Sequence, residues 1–163
     1  MKPYDILKYP DNRLFQVAKF VESVDFQNGT VKEIVERMFL TVRINRGIGL
    51  AATQVDVHKR IIVIEFNSYH LALVNPVIEF KSSNRTGLIE GCLSLPDVSG
   101  RVMRSEYIKI SYQDITGNQR KIETDGLLSK CIQHEIDHLN GVLYINRLTE
   151  IKKYFLLKKY NKK

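Results

Sequence analysis

Residues 133–141 read Gln133-His134-Glu135-Ile136-Asp137-His138-Leu139-Asn140-Gly141, a stretch that contains the pattern His-Glu-x-x-His. A helix turns by about 100° per residue, so His134 and His138 would stand one turn apart on one face, where both imidazoles can reach a single metal ion. Glu135 would flank this pair without competing for the metal, and its carboxylate could take a proton from water and later pass it on. The pattern predicts metal-assisted hydrolysis. Its alternative is a pair of core histidines that are satisfied by backbone carbonyls.

The residues around this stretch favour a helix. Asp125 can cap its start and Gly141 can close its end. Between them, apolar residues recur at helical spacing at Leu128, Ile132, Ile136 and Leu139. A second stripe, on another side of the same helix, consists of Leu127, Cys131, His134 and His138. We therefore predict a central helix that is apolar on one side and binds metal on the other.

Two histidines need a third protein ligand, and the chain has only two cysteines to offer. Cys131 is on the correct face, but the helix rises about 10.5 Å between Cys131 and His138. With metal–ligand bonds of about 2.0 to 2.3 Å, its thiol cannot reach an ion held by both histidines, so we expect Cys131 to line the pocket. The other cysteine, Cys92, lies in Glu90-Gly91-Cys92-Leu93-Ser94. Taken by itself, Cys92 is equally consistent with a small buried hydrophobic residue.

A further stretch with functional potential is Gly47-Ile48-Gly49-Leu50-Ala51-Ala52-Thr53-Gln54. Two glycines in a strand expose the backbone, so an extended peptide could pair with main-chain groups there. Gln54 ends the stretch with an amide that could donate to a developing oxyanion. The stretch lacks the third glycine and the strand-before-helix setting of a dinucleotide-binding site. Gly-x-Gly segments also occur in many turns, so this stretch alone does not decide between the two interpretations.

The chain is long enough for a proper core, with 163 residues of which 44% are apolar, and we expect one domain over residues 1–163. A helix is predicted from Thr30, with Thr30 and Glu33 as a capping box, to about Asn45. The predicted strands cover residues 60–66, 71–74, 77–80, 106–112 and 119–124. Their connections are too short for crossover helices. We therefore predict an α+β fold with mostly antiparallel sheets around the central metal-binding helix, an N-terminal-half helix and a C-terminal helix.

The net charge of +7 is concentrated at the C-terminus. After Glu150 the chain contains six lysines and no acidic residue, at Lys152, Lys153, Lys158, Lys159, Lys162 and Lys163. The remainder is close to neutral, which argues against specific DNA binding by the body of the protein. Residues 150–163 are predicted to form a basic helix or tail. It could lie on an acidic surface such as ribosomal RNA, or it could simply pack on its own domain.

The sequence also bears on location. Lys2, Asp5 and Lys8 interrupt any apolar run near Met1, so no signal peptide is expected. No stretch approaches the length of a membrane span. The two cysteines do not suggest a disulfide framework. The expected location is the cytoplasm.

Taken together, the stretches 47–54, 90–94 and 133–138 resemble the three signature motifs of peptide deformylases, in that family's order and approximate spacing. The resemblance implies that Cys92 is the third ligand beside His134 and His138, around one divalent metal ion with water in the fourth position. Fe²⁺ is expected physiologically, whereas Zn²⁺, Ni²⁺ or Co²⁺ could occupy the site in purified protein.

The resemblance also implies the substrate, a nascent polypeptide that begins with N-formylmethionine. Glu135 would move the water proton to the departing amine, and the Gln54 amide and the Leu93 backbone N–H would stabilise the oxyanion. Formate and a free N-terminus would result. The residues expected to bind the substrate are Gly47, Ile48, Gly49, Gly91, Leu127 and Cys131.

Two positions depart from better-known members of that family. Lys130 stands at the edge of the methionine pocket, where an apolar residue is more usual, and its stem could still pack there with the ammonium in water. The loop after Cys92 lacks a basic residue near Ser99, which Arg101 or Arg104 could replace.

Two other classes of protein remain possible from the sequence. A zinc peptidase with the His-Glu-x-x-His motif would usually take a downstream His or Glu as third ligand, and Glu150 is the main downstream acid. A non-catalytic ribosome-binding relative would use the basic tail and keep only a vestigial site.

Overall fold

The computed structural model describes residues 1–162, and over these residues it contains four α-helices and seven strands. The helices are α1 (Ser23–Gln27), α2 (Thr30–Ile44), α3 (Gly126–Leu139) and α4 (Glu150–Tyr160). The strands are β1 (Gly49–Ala51), β2 (Ile61–Phe66), β3 (Tyr69–Lys81), β4 (Arg85–Cys92), β5 (Leu95–Ser105), β6 (Ile108–Gln113) and β7 (Gln119–Thr124). Short 3₁₀ turns cover Asn12–Phe15, Ala52–Val55 and Tyr144–Arg147.

The strands form two sheets. A five-stranded sheet has the order β1-β2-β3-β6-β7, and β4 pairs with β5 in a separate hairpin. Each of these pairings is antiparallel. The predicted α+β class with mostly antiparallel sheets is therefore confirmed. The two strands predicted at 71–74 and 77–80 are one strand, β3, whose register against β6 shifts between Val74 and Val77.

Strand β2 lies between the two long helices. Its residues Ile61 and Val63 pack in a core cluster with residues of α2, whereas Ile62 and Ile64 pack in a second cluster with residues of α3. All four side chains are fully buried, and each such burial stabilises the fold by about 1.5 to 3 kcal/mol. Since neighbours on a strand point to opposite faces, β2 fixes α3 against one side of the sheet.

Helix α3 begins and ends close to the predicted positions. Asp125 is at the N-cap position, but its side chain makes no cap hydrogen bond. The N–H of Gly126 donates instead to Oε1 of Glu106, at 3.3 Å, so the predicted side-chain cap was wrong. At the other end Gly141 has φ +71°, and an added Cβ would lie 2.3 Å from the carbonyl oxygen of Phe15. Glycine is required there.

Helix α2 ends at Ile44, as predicted, but its start differs from the prediction. Thr30 is already inside the helix, and the N-cap is Gly29 with φ +80°. The N–H of Glu33 donates to the carbonyl of Gly29, at 3.1 Å. The predicted capping box is therefore absent, because the preceding turn extends the helix back by one residue.

The β4–β5 hairpin packs against the C-terminal helix. Leu95 and Val102 of β5 share a core cluster with Leu156 of α4. The tight turn at residues 93–94 pairs Cys92 with Leu95 and so places Cys92 at the end of β4. Among the described residues, no helix is both long enough and apolar enough to span a bilayer.

Candidate active site

Three side chains meet where β4 approaches α3. One donor atom from each of Cys92, His134 and His138 lies within 4.8 Å of the other two. Cys92 Sγ is 3.3 Å from His138 Nε2, and this nitrogen is 3.2 Å from His134 Nε2. The two histidines share one face of α3, as their spacing predicts. Cys92 reaches them because the hairpin turn ends its strand beside the helix.

Glu90 orients one of the imidazoles. Its Oε2 is 2.8 Å from Nδ1 of His134, so Nε2 of that ring faces the cluster. Burial alone would raise the pKa of Glu90, but hydrogen bonds from His134 and Arg104 outweigh it and hold the pKa at about 2. Arg104 also donates to Asp137, at 2.8 Å. A carboxylate that fixes the orientation of a histidine is a recurring feature of metal sites.

The electrostatics of the cluster fit a bound cation. Burial opposes a charge on His134, but Cys92 and Glu90 raise its pKa to about 10. One positive charge is therefore stabilised within the cluster. Burial lowers the pKa of His138 well below its ordinary value, so this imidazole is neutral, the form that binds metal. A mixed set of sulfur and nitrogen donors suits transition-metal ions such as iron or zinc.

Glu135 is the third polar side chain that α3 places beside the cluster. Its Oε2 is buried and has no hydrogen-bond partner among the described residues. Burial raises the pKa of this carboxyl to about 7, which allows it both to accept and to release a proton near neutral pH. Gly49 makes room for the carboxylate, because a Cβ at this position would lie 2.6 Å from Oε1.

Gln54 is held in a single orientation. Its Oε1 accepts the N–H of Ala51, at 2.9 Å, so the amide nitrogen must point the other way. Nε2 lies 3.1 Å from Ser94 Oγ and 3.4 Å from Cys92 Sγ. Gln54 is only 2% exposed. The structure thus presents a fixed N–H donor beside the cysteine.

A cavity of about 560 Å³ opens over the cluster. Nearly all of the residues singled out from the sequence line it: Gly47, Ile48, Gly49, Gln54, Gly91, Cys92, Leu93, Leu127, Cys131, His134 and Glu135. His138 lies deeper and is almost fully buried. Helix α3, strand β1 and the end of β4 therefore bring the three sequence stretches to one place.

Some expectations about individual residues were wrong. The Lys130 ammonium does not reach water freely but pairs with Glu106, at 2.7 Å. Arg104 is buried between Glu90 and Asp137, so it cannot replace a basic residue of the substrate loop. Glu150 is exposed at the start of α4 and is not part of the cluster. The zinc-peptidase alternative therefore lacks its downstream ligand.

The contacts of some other residues near the site were not recognised in the sequence. Glu90 lies two residues before Cys92, but no strand was predicted there and the register of β4 against β5 is irregular between these two residues, so alternation offered no signal. No local pattern indicated the contacts of Arg104 either, because its partners are 14 and 33 residues away in the chain. Lys8 lines the cavity and donates to the carbonyl of Leu93, at 2.5 Å.

Comparison with known proteins agrees with this geometry. Residues 3–154 match the family described as polypeptide deformylase. The chain belongs to the polypeptide deformylase family. It is a metal-dependent hydrolase that removes the formyl group from N-formylmethionine of nascent polypeptides and releases formate.

Solved structures of peptide deformylases are similar over almost the whole chain. The enzyme from Ehrlichia chaffeensis in complex with actinonin is 37% identical, with a TM-score of 0.92 over 99% of this chain and 98% of that one. The Plasmodium falciparum enzyme in an inhibitor complex is 39% identical, with a TM-score of 0.88 over 97% of each chain. A Met-Ala-Ser-bound enzyme from Acinetobacter baumannii is 30% identical, with a TM-score of 0.86 over 90% of this chain and 98% of that one.

Proposed function

We propose that the cavity over Cys92, His134 and His138 is the place where this chain hydrolyses the formamide. The observation that carries the proposal is the convergence of these donors with Glu135 and Gln54 at a single cavity. Each element of the chemistry then has a residue of the right type within reach: a metal-binding set, a proton carrier and a hydrogen-bond donor.

Cys92, His134 and His138 would hold one divalent metal ion. Bound there, the ion supplies a Lewis acid that makes water a better nucleophile and polarises the formyl oxygen. We propose Fe²⁺ as the physiological ion, with Zn²⁺, Ni²⁺ or Co²⁺ as replacements in purified protein, since the donor set accepts each of them. Glu90 supports the site by keeping Nε2 of His134 directed at the other donors.

Glu135 is the proposed proton carrier. It accepts a proton from the attacking water on a carboxylate oxygen and passes it to the amine nitrogen as the C–N bond breaks. Its buried position and raised pKa support this role. The products are formate and a peptide with a free amino group.

Gln54 and Leu93 are the proposed oxyanion donors. The Gln54 amide nitrogen is fixed beside Cys92 by the bond between its oxygen and Ala51. Leu93 lines the same cavity, directly after Cys92 in the chain, and would contribute its backbone N–H. Donors that are already oriented need no reorganisation when charge develops on the formyl oxygen.

The substrate would bind along the glycine-containing walls of the cavity. Gly47, Ile48, Gly49 and Gly91 are proposed to pair with its backbone, because glycines allow close approach of an extended peptide. Leu127 and Cys131 are proposed to contact the methionine side chain. A related enzyme that holds Met-Ala-Ser supports this class of ligand.

We propose that residues 1–163 form one catalytic domain and that it works in the cytoplasm. Its C-terminal helix is proposed to contact the ribosome. Ile151, Tyr154 and Phe155 of α4 are more than half exposed. Two pairs of lysines, at residues 152–153 and 158–159, lie on the same helix before and after Tyr154 and Phe155. A surface with cations and aromatic rings suits a phosphate-rich partner, so ribosomal RNA is the proposed contact.

Formate release tests the proposed activity. Protein purified without oxygen is incubated with formyl-Met-Ala-Ser and, separately, with an unformylated peptide of the same sequence extended to ten residues. We expect one formate per formylated peptide and no internal cleavage. Internal cleavage without formate release would instead indicate a peptidase, and the absence of both would indicate a non-catalytic relative.

A further inference from the structure

Lys130 places a charged side chain in the wall of the cavity. It lines the cavity together with Leu127 and Cys131 of the same helix, and Leu88 and Ile89 face the cavity from β4. Only 7% of Lys130 is exposed. A buried ammonium is costly unless it is paired and hydrogen-bonded. The contacts of Lys130 therefore decide what this part of the cavity can hold.

Glu106, which is not among the residues that line the cavity, holds the Lys130 ammonium. Nζ of Lys130 donates to Oε2 of Glu106, at 2.7 Å. The hydroxyl of Thr86 donates to the same carboxylate, and the N–H of Gly126 donates to its other oxygen, at 3.3 Å. The hydrogen bonds from Lys130 and Thr86 lower the pKa of Glu106, so it is ionised at neutral pH. The ion pair thus keeps Lys130 in the wall instead of extended into solvent.

The Lys130 ammonium retains one N–H that no described residue accepts. Lysine has three N–H donors. Glu106 accepts one, and the carbonyl of Gly126, at 3.5 Å, accepts a second. Among the described residues, no third acceptor bonds to Lys130 Nζ. A ligand side chain that ends in a strong acceptor would satisfy the remaining donor.

We propose that Lys130 is a specificity-determining residue that allows the pocket to take methionine sulfoxide as well as methionine at the first position of the substrate. This rests on the proposed function, in which Leu127 and Cys131 contact that side chain. A thioether sulfur is only a weak acceptor, so methionine binds by packing against the apolar walls and the Lys130 stem. Oxidation makes the group polar, and the sulfoxide oxygen accepts the free N–H of the ammonium.

The test compares three formylated tripeptides whose first residue is methionine, norleucine or methionine sulfoxide. For the native protein and Lys130→Met, kcat/KM is measured from formate release. We expect the ratio of sulfoxide to norleucine to fall at least about tenfold in Lys130→Met, the scale of one lost hydrogen bond to a charged donor. Lys130→Arg keeps a cationic donor and should retain most of the ratio. Lys109→Met, which removes a partly exposed lysine paired with Glu123, is the matched control and should leave the ratio unchanged.

Folding and activity are separated from specificity by two further measurements. Lys130→Met combined with Glu106→Gln removes both charges, and we expect the same fall in the ratio if the single variant unfolds. Calorimetric binding of the unformylated peptides gives the ratio without turnover. A sulfoxide-to-norleucine binding ratio that falls in Lys130→Met supports the proposal even if no formate is released. The absence of formate release would count against the proposed function alone. If the sulfoxide-to-norleucine ratio equals the native value both in Lys130→Met and in the double variant with Glu106→Gln, the assignment of Lys130 is overturned.

Discussion

Nε2 of Gln54 lies 3.4 Å from Sγ of Cys92, with the amide held in this orientation because its oxygen accepts the N–H of Ala51. The relationship ties β1 to the end of β4 and presents a fixed donor at the candidate metal site. Gln54→Glu keeps the oxygen that Ala51 needs but removes the donor.

We therefore expect Gln54→Glu to lower kcat by about 100- to 1,000-fold, the usual cost of one oxyanion donor. Metal content should stay close to the native value, because Gln54 is not one of the three donors, whereas the unfolding midpoint should fall, because the variant buries a carboxylate beside Cys92. Formate release under saturating substrate and elemental analysis of the same sample are the measurements. A change confined to KM would contradict an oxyanion role.

Glu90 provides a separate test of the metal site. Glu90→Gln removes the carboxylate that orients His134 and leaves Asp137 as the carboxylate that pairs with Arg104 among the described residues. We expect metal affinity to fall by about 10- to 100-fold, as for other partners of metal-bound histidines. Competition with a chromogenic chelator measures this. Glu79→Gln is a suitable control, because Glu79 is an exposed residue paired with Lys121 on the five-stranded sheet.

Asp25 gives a prediction about pH and stability that does not involve the site. Its carboxylate accepts from Lys59, at 2.5 Å, and from the N–H of Glu22, at 3.1 Å, and these bonds lower its pKa below the ordinary value. Because the folded pKa is depressed, the stabilisation is fully present above the unfolded pKa near 3.8 and is lost as the pH falls through the folded pKa.

We expect Asp25→Asn to reduce the free energy of unfolding at pH 7 by about 1 kcal/mol. This is the usual scale of a capping hydrogen bond at a helix N-terminus together with an ion pair that solvent screens. The difference should shrink as the pH falls below 3.8. Urea unfolding of both proteins across this range is the measurement. A difference that is the same at pH 7 and in acid would show that the charge of Asp25 is not the cause.

The proposed ribosome contact is tested by removing lysine charges from α4 and not by deleting the helix. Leu156 packs in the core and the hydroxyl of Tyr160 donates to the carbonyl of Tyr9, at 3.0 Å, so removing α4 would damage the fold. Changing Lys152, Lys158 and Lys159 to Gln should leave the fold intact and weaken cosedimentation with ribosomes. The salt dependence of binding should also become shallower. Binding that is unaffected by these changes would argue that the helix only packs on its own domain.

The sequence was sufficient for the parts of the fold that have a local pattern. The spacing of His134 and His138 and the apolar repeat of α3 are local, and so are the alternating strands β6 and β7. The hairpin of β4 and β5 was not predicted, because its first strand, Arg85–Cys92, carries charges and glycines instead of a regular alternation. Its strand character comes from pairing with β5, which is a tertiary effect.

In the candidate site, too, local sequence patterns predicted some features, whereas others depend on contacts between distant segments. Family resemblance, not spacing, assigned Cys92 as a ligand, since it lies 42 positions before His134 in the chain. The network of Glu90, Arg104 and Asp137 depends on contacts between distant segments, which no local pattern reveals. Lys130 was expected to reach water because long side chains usually do. Its partner Glu106 lies on a different element, so the ion pair became visible only in three dimensions.

The central claim, that a thiolate from β4 joins two imidazoles from α3 around one metal ion, is tested most directly by metal analysis of Cys92→Ala. Cys131→Ala is the matched control, because Cys131 lines the same cavity without belonging to the donor cluster. After anaerobic purification we expect one metal ion per chain in the native protein and in Cys131→Ala, and little or none in Cys92→Ala. A Cys92→Ala protein that retains one tightly bound ion per chain would contradict the account.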